Sequence, residues 1–419
     1  MSALAICLKQ MNHMVIGSDE SNYYFTEERL NENKIPIFTF NYKNIIKYSN
    51  YTFIIGYAYN EKNNEEVKKI IEKGYNCYYY SDFINEYFKN KIIGISGTHG
   101  KTTICTILKT LLNKENISYI IGDGNGKGNE KAKYLILEAC EYKYHFINYD
   151  FEYLVINNID YDHPDFYNNI DEVITAFKKV SKKTKCLIVN NDDSNARKIK
   201  HSCRYTYGIK NKSFVNAKIL QENCNGYIIK INIKENEYKF SLPFTGEHML
   251  YNFLAAFTMY YLININSNNI EVEVSDLLTK YIKPKRRMNE MILKNNNIII
   301  DDYAHHPTEV QATYDSVKQK YKEYDITIIF QPHTYSRTIY LYKEFQKVFQ
   351  DKEVYIMDTY RSREEKDELK DKIVDEVFKT LKKYDINEIK NIIYNKSNQL
   401  IIFMGAGDIY KVISDIKFT

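Results

Sequence analysis

A threonine and a histidine stand between two glycines, and a lysine and two more threonines follow, in Gly97-Thr98-His99-Gly100-Lys101-Thr102-Thr103. Backbone N–H groups of such a turn, run into a helix start, can cradle phosphate. Lys101 would then reach the terminal phosphates of ATP and the Thr102 hydroxyl would ligate Mg²⁺. The usual phosphate loop carries a further glycine five residues before Gly100; Ile95 stands there, so this is the shorter G-x-x-G-K-T-T form. Other groups fit the same chemistry. Glu138 could offer Mg²⁺ a hard oxygen, or merely cap a helix. His163 could serve a second cation or the phosphoryl group, or be a loop histidine. His305 and His306 follow Asp301-Asp302-Tyr303-Ala304 and precede Pro307, and are either site residues or a surface pair. Arg337 could clamp a carboxylate or phosphate, or cover a helix end. Arg286 and Arg287 are solvated charges or phosphate contacts made on domain closure.

These residues need elements to position them. Ile92-Ile93-Gly94-Ile95 reads as a strand before the loop. Ile104, Ile107, Leu108, Leu111 and Leu112 form the stripe of an amphipathic helix after it. Strands at Tyr134–Leu137 and Tyr153–Ile156 lead into Glu138 and into Asn157 to Pro164. Active groups of open α/β sheets gather at such carboxyl ends. The region 206–243 alternates like short β-strands, and Gly246–Tyr261 reads as a helix. Beyond a basic link at 281–287, strands at Asn297–Ile300, Asp325–Phe330 and Leu400–Met404 each end in a polar or Gly-rich turn. Before residue 90, a helix at Ser2–Asn12 leads to a strand at Met14–Ile16. Asp19 follows it, where an acidic residue often contacts a ribose. The expected fold is α/β in three domains. Residues 1–90 form a Rossmann-like domain without its first strand. Residues 91–284 form an ATPase domain with a small β insertion, and 285–419 a third domain that repeats strand–helix alternation.

The chain has 419 residues, a net charge of +4 and seven cysteines. That charge, spread along the chain, gives no footprint for nucleic acid. Irregularly spaced cysteines without C-x-x-C fit reduced thiols in a cytoplasmic protein rather than a disulfide framework. No apolar run reaches the length of a membrane span and no signal peptide is seen.

Taken together, several motifs resemble the Mur ligases of peptidoglycan synthesis, in family order across nearly the whole chain. They are Met1 to Ala5, Gly97 to Thr103, Ile121 to Gly124, Glu138 to Tyr142, Asn158 to Asp165, Lys285 to Arg287, Asp301 to Val310, Phe330 to Thr338 and Phe403 to Asp408. The Asp301 to Glu309 block resembles the alanine-adding branch. The resemblance implies that ATP phosphorylates the lactyl carboxylate of UDP-N-acetylmuramate and that the amine of L-alanine displaces the phosphate. It implies that residues 285–419 are Rossmann-like, that Gly97 to Thr103 bind ATP, Lys101 at its terminal phosphates, that Thr102 and Glu138 hold one magnesium ion and that His163 assists at a second metal. Asn252 would contact adenine, and Arg287 and Asp302 would meet ATP on closure. Tyr303, His305 and Arg337 would line the alanine and transfer site, and Asp19 the UDP-sugar. A monomer or weak homodimer is expected. Met249 departs from the Asn common in relatives. The family's first strand and Gly-rich UDP loop would precede Met1; a start upstream, or a UDP site lacking that part, are both open. Two other readings are a different amide ligase, such as a folylpolyglutamate-type enzyme, and an inactive nucleotide-binding remnant.

Overall fold

The computed structural model describes residues 1–20, 26–88, 91–293, 295–362 and 364–416, so the expected boundary at residue 90 lies outside them. Two compact units share the chain. The first takes Met1–Ile159, Ile174–Asn216 and Asn252–Tyr281, the second Asp160–Val173, Ala217–Tyr251 and Ile282–Thr419.

In the first unit the strand Lys91–Ser96 lies at the centre of a parallel sheet. Tyr134–Glu138 and Ile117–Ile120 follow on one side, Phe151–Ile156, Cys186–Asn190 and Arg204–Gly208 on the other. Such strands are covered on both faces and read as continuous apolar runs; Ile92, Ile93 and Ile95 are buried accordingly. Gly94 is required here, because a Cβ would lie 2.4 Å from the Phe151 ring. The chain leaves Lys91–Ser96 first to one side and later to the other. The loop that follows therefore sits at the point where strand order reverses, the usual ligand crevice of this architecture. Helix Lys101–Leu111 buries the expected stripe of Ile104, Ile107, Leu108 and Leu111. Helix Ser2–Gln10 lies against the edge strand Gly126–Lys127. A Cβ at Gly126 or Gly128 would come within 2.0 Å of the Ala3 or Cys7 carbonyl, so glycine permits that approach.

Two expectations change. The strand expected at Met14–Ile16 forms instead at Gly17–Asp19, paired in parallel with Ile37–Thr39, so Asp19 ends a strand rather than following one. Sequence alternation did not report this pairing partner. Cys186 and Cys203 form a disulfide, against the expectation of reduced thiols. The reason is register: Leu187 pairs with Arg204 on neighbouring parallel strands, which brings the preceding cysteines side by side, with Cα atoms 4.8 Å apart.

The second unit has a six-stranded sheet in the order Asn289–Ile292, Ile298–Asp302, Gln399–Met404, Asp325–Phe330, Glu353–Ile356, Lys382–Lys383, antiparallel only at its first edge. Alternation sorts its side chains. Ile298, Ile300, Ile328, Phe330, Leu400 and Ile402 enter one core, and Ile299, Ile329, Ile401 and Phe403 the other. The unit also holds the antiparallel hairpin Gly226–Ile233 and Asn236–Leu242. Val215–Asn223 passes from the first unit into the second. Among the described residues no helix is long and apolar enough to cross a membrane.

Candidate active site

In the first unit, the loop after Lys91–Ser96 turns through Gly97 at φ 134° and Gly100 at φ 84°, conformations that favour glycine. At Gly100 a Cβ would also lie 2.4 Å from Asn252 Oδ1. Asn252 is fixed by Asn157 Nδ2, which donates to its Oδ1 at 3.1 Å, while the Tyr207 hydroxyl donates to Asn157 Oδ1 at 2.8 Å. Loop and candidate adenine residue are thus joined by one buried amide network. Gly100→Ala should therefore cost at least about 1–2 kcal/mol from the left-handed backbone alone and weaken ATP binding. Calorimetric titration with ATP checks this; unchanged affinity would contradict it.

Lys101 Nζ donates to Gly97 O at 2.6 Å, Thr98 O at 2.9 Å and Glu141 Oε2 at 3.0 Å. Burial opposes its charge, but Glu141, with Cys140 and Glu138 nearby, raises its pKa above the ordinary lysine value. Thr102 Oγ1 donates to Glu138 at 2.9 Å and 3.1 Å, and Gly122 N donates to Glu138 Oε2 at 2.8 Å. Burial pushes the Glu138 carboxyl up, with the Gly122 N–H, Lys101 and Thr102 pulling the other way. Thr102 and Glu138 therefore form a pair of hard oxygens with an underneutralised carboxylate, which fits a magnesium ion. None of the residues lining the cavity around Asp19 belongs to this loop. Asp19 lines that cavity, of about 650 Å³, together with Met1, Ser2, Gly17, Ser18 and Glu66, among others.

His163 belongs to the second unit, as do the remaining candidates. It stands at φ 57°, its Nε2 3.7 Å from Asp162 Oδ2. Arg337 is 3% exposed. Its Nε and Nη2 donate to the two Asp162 oxygens at 2.8 Å and 3.3 Å, and its Nη1 donates to His333 O at 2.9 Å. Burial would raise the Asp162 pKa, but Arg337, His163 and His306 hold it well below the usual carboxylate range. Asp302 is also buried. Its oxygens accept from Ala304 N at 2.9 Å and Met288 N at 2.8 Å, which fixes the turn carrying Tyr303. Arg287 lies 5.3 Å over the Tyr303 ring and 3.8 Å from Glu309.

The two histidines separate in role. His306 Nδ1 accepts from Thr308 N at 3.2 Å and its Nε2 faces Tyr161 O at 3.1 Å; it is the N-cap of helix Pro307–Lys320, with Glu309 completing the capping box. His305 Nδ1 faces two acceptors, Tyr303 O at 3.0 Å and Glu309 Oε2 at 3.2 Å. This assigns the proton to Nδ1 and leaves the lone pair on Nε2. Burial lowers the His305 pKa to about 4, although Glu309 pulls it up. The unfolded chain therefore takes up this proton first. Stability should fall as pH drops from about 6.5 toward about 4 and be fully present above that window. His305→Gln should flatten that part of a melting-temperature profile. A His305 ring titrating near 6.5 by NMR would contradict the assignment.

The structure thus brings Lys101, Thr102, Glu138 and Asn252 together in one unit, and Asp302, Tyr303, His305, Arg287 and Arg337 are grouped in the other. Sequence reading gave no role to Glu141, Asp162, Asn157 or Glu309. The partners of Glu141, Asp162 and Asn157 lie far along the chain and no spacing rule pairs them, whereas Glu309 stands three residues after His306, the capping-box spacing that could have found it.

Three family models match the chain. The model described as Mur ligase family, catalytic domain, matches residues 1–91, Mur ligase middle domain 95–260, and Mur ligase, glutamate ligase domain, 286–407. A UDP-N-acetylmuramate–L-alanine ligase of Streptococcus agalactiae serotype III (strain NEM316) is 37% identical over 417 residues, covering 98% of this chain and 93% of that protein. The Streptococcus gordonii protein of the same name is 36% identical with the same coverage. Among solved structures, the UDP-N-acetylmuramate–alanine ligase of Thermotoga maritima superposes with a TM-score of 0.77 at 22% identity. It covers 99% of this chain and 95% of that one. A murein peptide ligase of Psychrobacter arcticus gives 0.71 at 17% identity, with the same coverage.

Proposed function

Because this chain belongs to the Mur ligase family, we propose that it joins L-alanine to the lactyl carboxylate of UDP-N-acetylmuramate with hydrolysis of ATP to ADP and phosphate. The observation that carries the reading is the hydrogen bond of Thr102 to Glu138 beside Lys101, where the loop and helix after Lys91–Ser96 meet the end of the adjacent parallel strand. The name and near-complete coverage of the streptococcal relatives support the alanine step.

A carboxylate and an ammonium do not condense in water, so the carboxylate is first activated. One carboxylate oxygen attacks the γ-phosphorus and ADP leaves. The amine nitrogen then attacks the acyl carbon, and phosphate leaves carrying that carboxylate oxygen. Negative charge gathers during transfer, where a fixed lysine and backbone N–H groups are most effective. Lys101 would meet that charge, with Gly97 to Thr103 enclosing the phosphates and Asn252 beside the adenine. Thr102 and Glu138 would hold one Mg²⁺ and His163 would assist at a second metal, and such cations would supply charge neutralisation for the transferring phosphoryl oxygens. Arg287 would contact the nucleotide, with Asp302 acting through the turn it fixes. Asp19 would hold the UDP-sugar in its cavity.

His305 would accept an N–H of the incoming amino group at Nε2; being neutral, it does not repel an ammonium. Tyr303 would line the same place. Arg337 uses its Nε, one Nη2 proton and its Nη1 on Asp162 and His333, which leaves a second Nη2 N–H for the alanine carboxylate. We place the protein in the cytoplasm, as a monomer or weak homodimer. A panel of amino acids tests the reading. Phosphate release with ATP, Mg²⁺ and UDP-N-acetylmuramate should be greatest with L-alanine. Preference for glutamate or a diamino acid would contradict it.

A further inference from the structure

Two carboxylates stand at the end of the strand Tyr134–Glu138. Glu138 is engaged by Thr102 and Gly122, whereas Glu141 is 3.0 Å from the Lys101 ammonium. An ammonium has three N–H donors. The carbonyls of Gly97 and Thr98 take two of them and Glu141 Oε2 the third, so the donor set of Lys101 is filled from within the protein. The pair is well enclosed, with the Lys101 side chain 13% exposed and that of Glu141 2%. A phosphate oxygen can reach this ammonium only by taking the place of one acceptor. The carbonyls belong to the loop's own backbone and move only with it. The Glu141 carboxylate is carried on a side chain and is the anion among the three.

We propose that Glu141 is a positioning residue for Lys101: its carboxylate holds the place of the nucleotide's terminal phosphate, and nucleotide binding exchanges one for the other. The proposal rests on the reading of Lys101 as an ATP phosphate ligand. The exchange trades one charge-assisted bond for another. It keeps a buried ammonium paired and folded back onto its loop when no nucleotide is bound, a state otherwise costly in a low-dielectric site. It also means that Glu141 opposes ATP binding, because its carboxylate must give up its cation and then stand near a polyanion. A residue that merely held Lys101 ready for phosphate would do the reverse.

The full-length protein distinguishes these. ATP and AMP are titrated calorimetrically into the wild type, Glu141→Gln and Glu141→Asp, and KM for ATP is read from phosphate release. Glutamine keeps the shape and an acceptor but not the charge. Its Kd for ATP should fall roughly tenfold, the worth of one charge-assisted bond no longer competed for, and KM should follow. AMP lacks the terminal phosphates, so its affinity should not change. Aspartate, whose shorter side chain draws the carboxylate back, should shift ATP affinity the same way by about threefold. A folded Glu141→Gln protein that binds ATP equally or more weakly overturns the proposal, as does an equal gain for AMP. Should the glutamine variant fail to fold, an aspartate variant without tightened ATP binding overturns it alone. Failure of the wild type to bind ATP would instead overturn the reading of Lys101 beneath it.

Discussion

Lys101→Met should lower kcat for phosphate release by roughly 10²–10³-fold, the range for removing one preorganised donor from a developing anion. The ammonium stands at the start of helix Lys101–Leu111, where Gly97 and Gly100 let the backbone turn toward a phosphate. Methionine fills similar volume without charge. The substitution also leaves Glu141 buried without its cation, so loss of activity could be confused with loss of fold. Adding Glu141→Gln separates them. The double variant should regain melting temperature, because the orphaned carboxylate is gone, but not activity. A Lys101→Met protein within tenfold of wild type would contradict the role of the loop.

The largest effect on stability should come from Asp162→Ala. Asp162 and Arg337 are both buried and share two hydrogen bonds. Removing one partner of such a pair leaves an uncompensated charge at a cost of about 3–5 kcal/mol. Replacing both residues by apolar ones should recover much of it, since the pair's own desolvation is then avoided. Chemical denaturation followed by a probe in the second unit measures this; a loss under 1 kcal/mol would show the pair to be hydrated. The sign with pH follows from the depressed Asp162 pKa. Its stabilisation is fully present above the unfolded carboxylate value of about 3.9 and is lost as pH falls through the lower folded value. This acid limb should be absent in the doubly apolar variant.

What could be read in advance was local. The run Ile92 to Ile95, the glycines and the stripe from Ile104 to Leu111 are encoded within twenty residues, and strand, turn and helix form there. Asp325–Phe330 matches its expected bounds for the same reason. What escaped was set by pairing across the chain. The Cys186–Cys203 bond depends on strand register. The shift of the first strand to Gly17–Asp19 depends on the partner at Ile37–Thr39. Arg337 was legible as a cation suited to a carboxylate, but not that Asp162, 175 residues earlier, already supplies one. His305 and His306 look alike in sequence. Only the helix start at Pro307 makes one a cap and leaves the other facing Tyr303 and Glu309.

The most direct measurement follows oxygen. UDP-N-acetylmuramate labelled with oxygen-18 in its lactyl carboxylate is incubated with the protein, ATP, Mg²⁺ and L-alanine, and the released phosphate is weighed by mass spectrometry. Each phosphate formed should carry one carboxylate oxygen, in step with alanyl amide, and none should form when either substrate is left out. Unlabelled phosphate, or no phosphate from the complete mixture, would contradict ligation through an acyl phosphate.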